Sequence, residues 1–198
     1  MTALELILIR HGQSEADLLG VIECNADFPL TALGLEQAQR LALSLSRLAL
    51  SPAAIYASPL QRAQATATLV AEPLGLPVQL EPRLAEKNVG EMAGLPREQA
   101  LCRFPLPPGG LLPHQRMGGG TGESRLDFRF RIQAAFWELR ARHSGECVFI
   151  VAHGGVLDEA LRFLLQAPEG VGFASGDAAF HHLIWAEKVR VLALNRPA

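Results

Sequence analysis

The chain has 198 residues, 49% of them hydrophobic and 19% charged, with a formal net charge of −2. This length and apolar content suit one globular domain, 1–198, with a sizeable core. The near balance of charge removes the usual electrostatic footing for nucleic acid or an anionic membrane surface as partner. Lysine occurs only at Lys87 and Lys188, so the basic charge is mostly arginine, whose planar fork suits oxyanions. Cys24, Cys102 and Cys147 are odd in number and widely spaced. They offer neither a metal-ligand pair nor a disulfide framework, which points to a reducing cytoplasm. The apolar run at Leu4 to Ile9 follows an N-terminus without basic residues and is too short for a signal peptide or a membrane span.

That run instead predicts a buried first strand, followed by a polar loop from Arg10 to Leu30. Thr31 can cap a helix through about Leu48, with Leu33, Ala38, Leu41 and Leu45 inward. Ser51-Pro52 breaks it. Ala54 to Ala57 reads as a second strand, and Ser58-Pro59 opens a helix with proline in its first turn, ending near Pro73. Val78 to Leu80 could be a third strand. Cys147 to Ala152 is the clearest strand, apolar throughout as expected when both faces are covered. His153-Gly154-Gly155 turns from it into a helix ending before Pro168, and Phe180 to Trp185 with Val189 to Leu194 can form a closing hairpin. Strands alternating with helices predict a three-layer α/β/α sandwich with a largely parallel central sheet. The Pro- and Gly-rich stretch from Phe104 to Thr121 reads as a long functional loop, expected over the site.

In open α/β sheets, ligands bind beyond the carboxyl ends of strands. His11 stands at such an end, beside Arg10 and before Gly12, where it would meet an anion. His153 stands at another, and Gly154 and Gly155 after it let backbone N–H groups approach a phosphate at a helix N-terminus. A lone Arg-His-Gly is more often an ordinary loop, and His153 alone could as well cap a buried turn; two strand ends each delivering a histidine to one edge are harder to dismiss. Arg62, in the first turn of the helix after the second strand, either faces solvent or makes a bidentate phosphate contact.

Leu8-Ile9-Arg10-His11-Gly12, Pro29 to Gly34, Ser58-Pro59-Leu60-Gln61-Arg62-Ala63, Leu84-Ala85-Glu86 with Gly90 and Gly94, Gly122-Glu123-Ser124 and Ala152-His153-Gly154-Gly155 follow one another along nearly the whole chain. In this the chain resembles the histidine phosphatase superfamily, in its phosphoglycerate mutase-like branch. The resemblance implies a phosphomonoester hydrolase of small metabolites, working without metal or cofactor. It implies His11 as the nucleophile that becomes phosphohistidine. Arg10, Arg62, His153 and Gly154 would bind the phosphoryl oxygens. Glu86 would be the proton donor to the leaving oxygen; read alone, it is a surface acid paired with Lys87 or Arg83. Gly122-Glu123-Ser124 would open a supporting helix.

Gln13, Asp17, Glu23 and Cys24 are candidate substrate contacts, and they depart from the family pattern. Members commonly carry Glu in place of Gln13, Asn in place of Asp17 and Gly in place of Cys24. A carboxylate at Asp17 would oppose phosphate where a neutral amide often holds it. Negative charge at Glu23, in the stretch that grips the substrate carboxylate in mutases, argues against phosphoglycerate. The alternatives are a phosphomutase, which tends to be longer, and a non-catalytic binding homologue, which would not need Glu86. The 104–121 loop, with His114 and Arg116, is expected to set selectivity.

Overall fold

The computed structural model describes residues 2–197; Met1 and Ala198, the ends of the expected domain, lie outside them. In chain order the elements are β1 (Leu4–Arg10), α1 (Glu15–Leu19), α2 (Ala32–Ser46), β2 (Pro52–Ala57), α3 (Gln61–Ala71), β3 (Val78–Leu80), α4 (Arg97–Arg103), α5 (Arg125–Arg142), β4 (Cys147–Ala152), α6 (Gly154–Leu165), β5 (Phe180–Trp185) and β6 (Val189–Arg196). One six-stranded sheet runs in the order β3-β2-β4-β1-β5-β6. The first four strands are parallel, and β5 runs antiparallel to both β1 and β6.

The period-two alternation of the strands divides the core into two layers. Leu4, Leu6 and Leu8 of β1, with Val148 and Ile150 of β4, pack against Phe128, Ile132 and Phe136 of α5 and Val156, Leu157 and Leu161 of α6. Ile7 and Ile9, with Phe149 and Val151, face Leu41 and Leu45 of α2 and Ala63, Ala67 and Val70 of α3. A helical layer on each face is what a parallel sheet requires, and it explains why β4 is apolar at every position.

Thr31 caps α2 as expected, its Oγ1 accepting the Gly34 N–H at 2.9 Å. Other expectations need correction. The Arg10–Leu30 loop contains the short helix α1. Leu33 points outward at 44% exposure, because Ala38, Leu41 and Leu45 already define the buried stripe. Pro59 precedes the helix cap, Leu60, instead of occupying the first turn of α3. The 104–121 segment packs on the apolar cluster around Val89 and Met92. Phe104 and Met117 pack with Ile22, Cys24, Val89 and Met92, and Arg116 is tied to Asp127 and the Gly122 carbonyl, so the loop flanks the site.

Candidate active site

Ladder register builds the site. Arg10 pairs with Ala152 and Ala57 with Val151, so the residues after the ends of β1, β2 and β4, namely His11, Ser58 and His153, emerge level at one sheet edge. Backbone bonds from His11 N–H to Ala152 O (3.1 Å) and from Ser58 N–H to Val151 O (3.0 Å) carry the ladder into the site. A Cβ on Gly12 would lie 2.4 Å from Gly34 O, so glycine is required where the His11 loop seats on α2.

His11 is buried, and its Nδ1 lies 2.7 Å from Gly12 O. Only an N–H can meet a carbonyl, so Nδ1 carries the hydrogen and Nε2 keeps a lone pair. Nε2 accepts the Arg62 Nε–H at 3.3 Å. Burial, then the charge of Arg62 and more weakly that of Arg10, hold the ring at about 3, against the opposing pull of the Gly12 carbonyl.

Arg62 is fully buried on α3 and reaches the site instead of solvent. Its Nη1 and Nη2 donate to the carbonyls of Ala26 (2.9 Å) and Cys24 (2.7 Å), one hydrogen on each remaining for a ligand. Arg10 is held by the Ser175 carbonyl (2.6 Å) and Asp177 (3.1 Å), while its buried Nε has no partner. The His153 ring stands edge-on to His11, centroids 5.0 Å apart. Its Nε2 meets Ser58 Oγ at 2.7 Å, and its Nδ1 is buried and unpartnered. Burial and the neighbouring cationic groups keep its pKa well below the ordinary imidazole value.

Glu86 pairs with neither Lys87 nor Arg83 through its carboxylate. It accepts the N–H groups of Gly155 and Lys87, both at 2.8 Å, and so lies at the N-terminus of α6. A Cβ on Gly155 would come within 2.5 Å of this carboxylate, so the second glycine makes room for Glu86, and its N–H is taken by it. Gly154 stays beside Arg10 Nε. Support comes from Arg131, which donates to the carbonyls of Arg83 and Glu86 and pairs with Glu123 at 2.8 Å. Ser124 caps α5, its Oγ accepting the Asp127 N–H at 3.1 Å.

Two of the four candidate substrate contacts are bonded to neighbouring segments. Gln13 accepts from Thr31 Oγ1 at 2.9 Å and serves the joint with α2. Asp17 accepts the Ser14 N–H at 3.0 Å and is exposed; the position demands an acceptor at the start of α1, which a carboxylate supplies. Glu23 is in the site: Oε1 lies 3.2 Å from Arg62 Nε and Oε2 4.0 Å from His11 Nε2. Cys24 contributes its carbonyl, while its thiol is pushed up to about 11 by burial. Its φ of 39° falls in the region that favours glycine, the residue common there in the family. Sequence reasoning gave Ser58 no role, and missed Asp177 and the Ser175 carbonyl behind Arg10; no local pattern marks the latter pair. Among the described residues no group of three or more His, Cys, Asp or Glu is arranged to hold a metal ion. Among the described residues no helix is long and apolar enough to cross a membrane.

Fold and site together define an α/β protein with a buried histidine, its pKa held low by burial and Arg62, at the carboxyl edge of its sheet. The sequence model of the histidine phosphatase superfamily (branch 1) matches residues 6–194, and the chain belongs to that family. It is 33% identical over 167 residues to a metal-independent phosphoserine phosphatase of Arabidopsis thaliana, covering 82% of this chain and 69% of the relative. It is 31% identical over 172 residues to a probable phosphoglycerate mutase of Yersinia enterocolitica, covering 83% and 76%. A native mycobacterial glucosyl-3-phosphoglycerate phosphatase structure superposes with a TM-score of 0.83 at 28% identity, covering 98% of this chain and 99% of that one.

Proposed function

We propose that this chain hydrolyses phosphomonoesters of small metabolites, with His11 Nε2 as the nucleophile. The observation that carries the reading is the His11 ring, whose Nδ1–H is committed to Gly12 O while the Nε2 lone pair faces the guanidinium of Arg62. Nε2 attacks phosphorus, and the bond from phosphorus to the leaving oxygen breaks. Glu86, carrying a proton in that step, gives it to the departing alkoxide. The phosphorylated ring keeps its Nδ1–H, so it is cationic and a good leaving group. Water then attacks phosphorus, its proton passes to the Glu86 carboxylate, and the N–P bond breaks to free inorganic phosphate. Arg62, Arg10 Nε and His153 Nδ1 are the donors for the phosphoryl oxygens, where positioning and electrostatics dominate the barrier.

His153 can donate to phosphate only in one tautomer, since its depressed pKa leaves the ring neutral. Ser58 Oγ already accepts the Leu60 N–H at 3.2 Å, and His153 Nε2 is the acceptor within reach of its own hydrogen. Ser58 therefore donates to Nε2 and leaves the hydrogen on Nδ1, as a positioning residue.

The relatives named as phosphatases support hydrolysis, and Glu23 beside His11 disfavours a carboxylate-bearing phosphoglycerate as substrate. Three free cysteines suit the cytoplasm. Rapid acid quenching with a labelled phosphomonoester tests the reading: an acid-labile, base-stable phosphoenzyme is expected on His11 and absent from His11→Ala. Normal hydrolysis by His11→Ala would overturn it.

A further inference from the structure

We propose that Glu23 is a charge filter on the phosphoryl pocket: its carboxylate occupies the phosphoryl position of the free protein, and an oxyanion enters only by displacing it or by binding with the proton that neutralises it. This rests on the phosphatase reading above and adds a residue that decides which anions bind and how fast product leaves.

A phosphorus atom poised for attack lies about 3–3.5 Å from the nucleophile. Glu23 Oε2 is 4.0 Å from His11 Nε2, so a phosphoryl oxygen and this carboxylate oxygen claim the same volume. The carboxylate is held there poorly. Oε1 sits 3.2 Å from Arg62 Nε yet is buried without a hydrogen bond, because that N–H is directed at His11. A buried acceptor left unsatisfied is costly, so the occupant yields to an anion that can take the open donors of Arg10 Nε and His153 Nδ1. The backbone on either side is fixed: Ile22 exchanges hydrogen bonds with Leu95 and Gly94, and the Cys24 carbonyl is held by Arg62. Glu23 therefore leaves by side-chain rotation and returns when phosphate departs, which helps to expel product.

The charged and titratable groups around Glu23 are Arg10 from β1 with its partner Asp177, His11 after β1, Asp17 from α1 and Arg62 from α3; Asp27, Cys24 and Glu86 act on the same Arg62, and His153 stands against His11. Burial raises the Glu23 carboxyl above its ordinary value, against the pull of Arg62. His11 at about 3 and Cys24 at about 11 keep one charge state from pH 5 to 8.5, and burial holds His153 well below the ordinary imidazole value. Opposition to anions is therefore weakest at low pH, where Glu23 takes up a proton, and full at high pH.

The test is calorimetric binding of inorganic phosphate to the full chain, wild type and Glu23→Gln, from pH 5 to 8.5. The ratio of the two dissociation constants cancels the ionisation of phosphate itself. Glu23→Gln should bind about tenfold more tightly at pH 8, the scale of one like-charge contact near 4 Å, with the advantage shrinking towards pH 5. Glu23→Ala should move the same way, which excludes a new bond from the Gln amide as the cause. A ratio that does not change with pH, or weaker binding by both variants, overturns the proposal. If no protein binds phosphate at any pH, the phosphatase reading fails and this inference with it.

Discussion

The strand-end cradle and the loops that close over it are built by different physics. His11, Ser58 and His153 follow directly from β1, β2 and β4, so one ladder register sets their heights and burial fixes their rotamers. Glu23 and Glu86 lie on irregular segments positioned by bonds between residues far apart in the chain. Arg62 holds the 24–26 carbonyls, Asn25 accepts the Val89 N–H, and Arg131 with Glu123 braces residues 83–88. The cradle is preorganised for one chemistry, whereas the loops decide which anion enters and where its proton goes.

The largest effect should come from the loop side. Glu86→Gln should slow phosphorylation by alkyl phosphates far more than by p-nitrophenyl phosphate, by roughly the 10²–10⁴ that general acid catalysis supplies. Single-turnover rates are needed, because Glu86 also serves the second step. Equal slowing of both substrates would reduce Glu86 to a brace for the N-terminus of α6. On the cradle side, Ser58→Ala should lower kcat/KM by about ten- to a hundredfold, the scale of one hydrogen bond to a charged group. Ser58→Thr should restore most of it. Failure of threonine to rescue, with the fold intact, would detach Ser58 from the tautomer of His153.

Stability offers a third contrast. The folded His11 ring sits at about 3 and an unperturbed imidazole at 6.5, so between those values the unfolded chain binds a proton that the folded chain does not. The contribution is absent above pH 6.5 and grows as a loss of stability while pH falls towards 3. At pH 5 it amounts to about 2 kcal/mol. Urea unfolding at pH 7 and pH 5 should show His11→Asn losing less stability than wild type by about that amount, and parallel losses would contradict the depressed ring. The smallest effect is expected at Asp17, which is exposed and already accepts the Ser14 N–H. Asp17→Asn should leave the KM–pH profile for one phosphomonoester nearly parallel to wild type, and a clear fall in KM at high pH would return Asp17 to the phosphate.

What the sequence made legible follows the same division. β1, β4 and the hairpin of β5 with β6 were readable because their apolar runs are local and uninterrupted. His11 and His153 stood out because each sits just after a strand, and Arg62 only through the ordered motifs that carry the family resemblance. The full length of α5 was hidden, since its buried Phe128, Ile132 and Phe136 are interleaved with five arginines. Ser58 was visible in the motif, but its task depends on a partner 95 residues away. The clamp on Arg10 by Ser175 and Asp177 comes from 165 residues or more downstream. The bond from the Ser14 N–H to Asp17 was not legible, because a carboxylate can serve a helix start as well as a pocket.

Catalysis as described above requires a neutral His11 with its hydrogen on Nδ1 and its lone pair on Nε2. A ¹⁵N NMR titration of the His11 ring in the free protein tests it most directly. From pH 8 to 5 the account predicts an unprotonated Nε2 and a protonated Nδ1 throughout, with the ring titrating near 3. A His11 ring that takes up its second proton near pH 6.5, or that carries its hydrogen on Nε2, would contradict it.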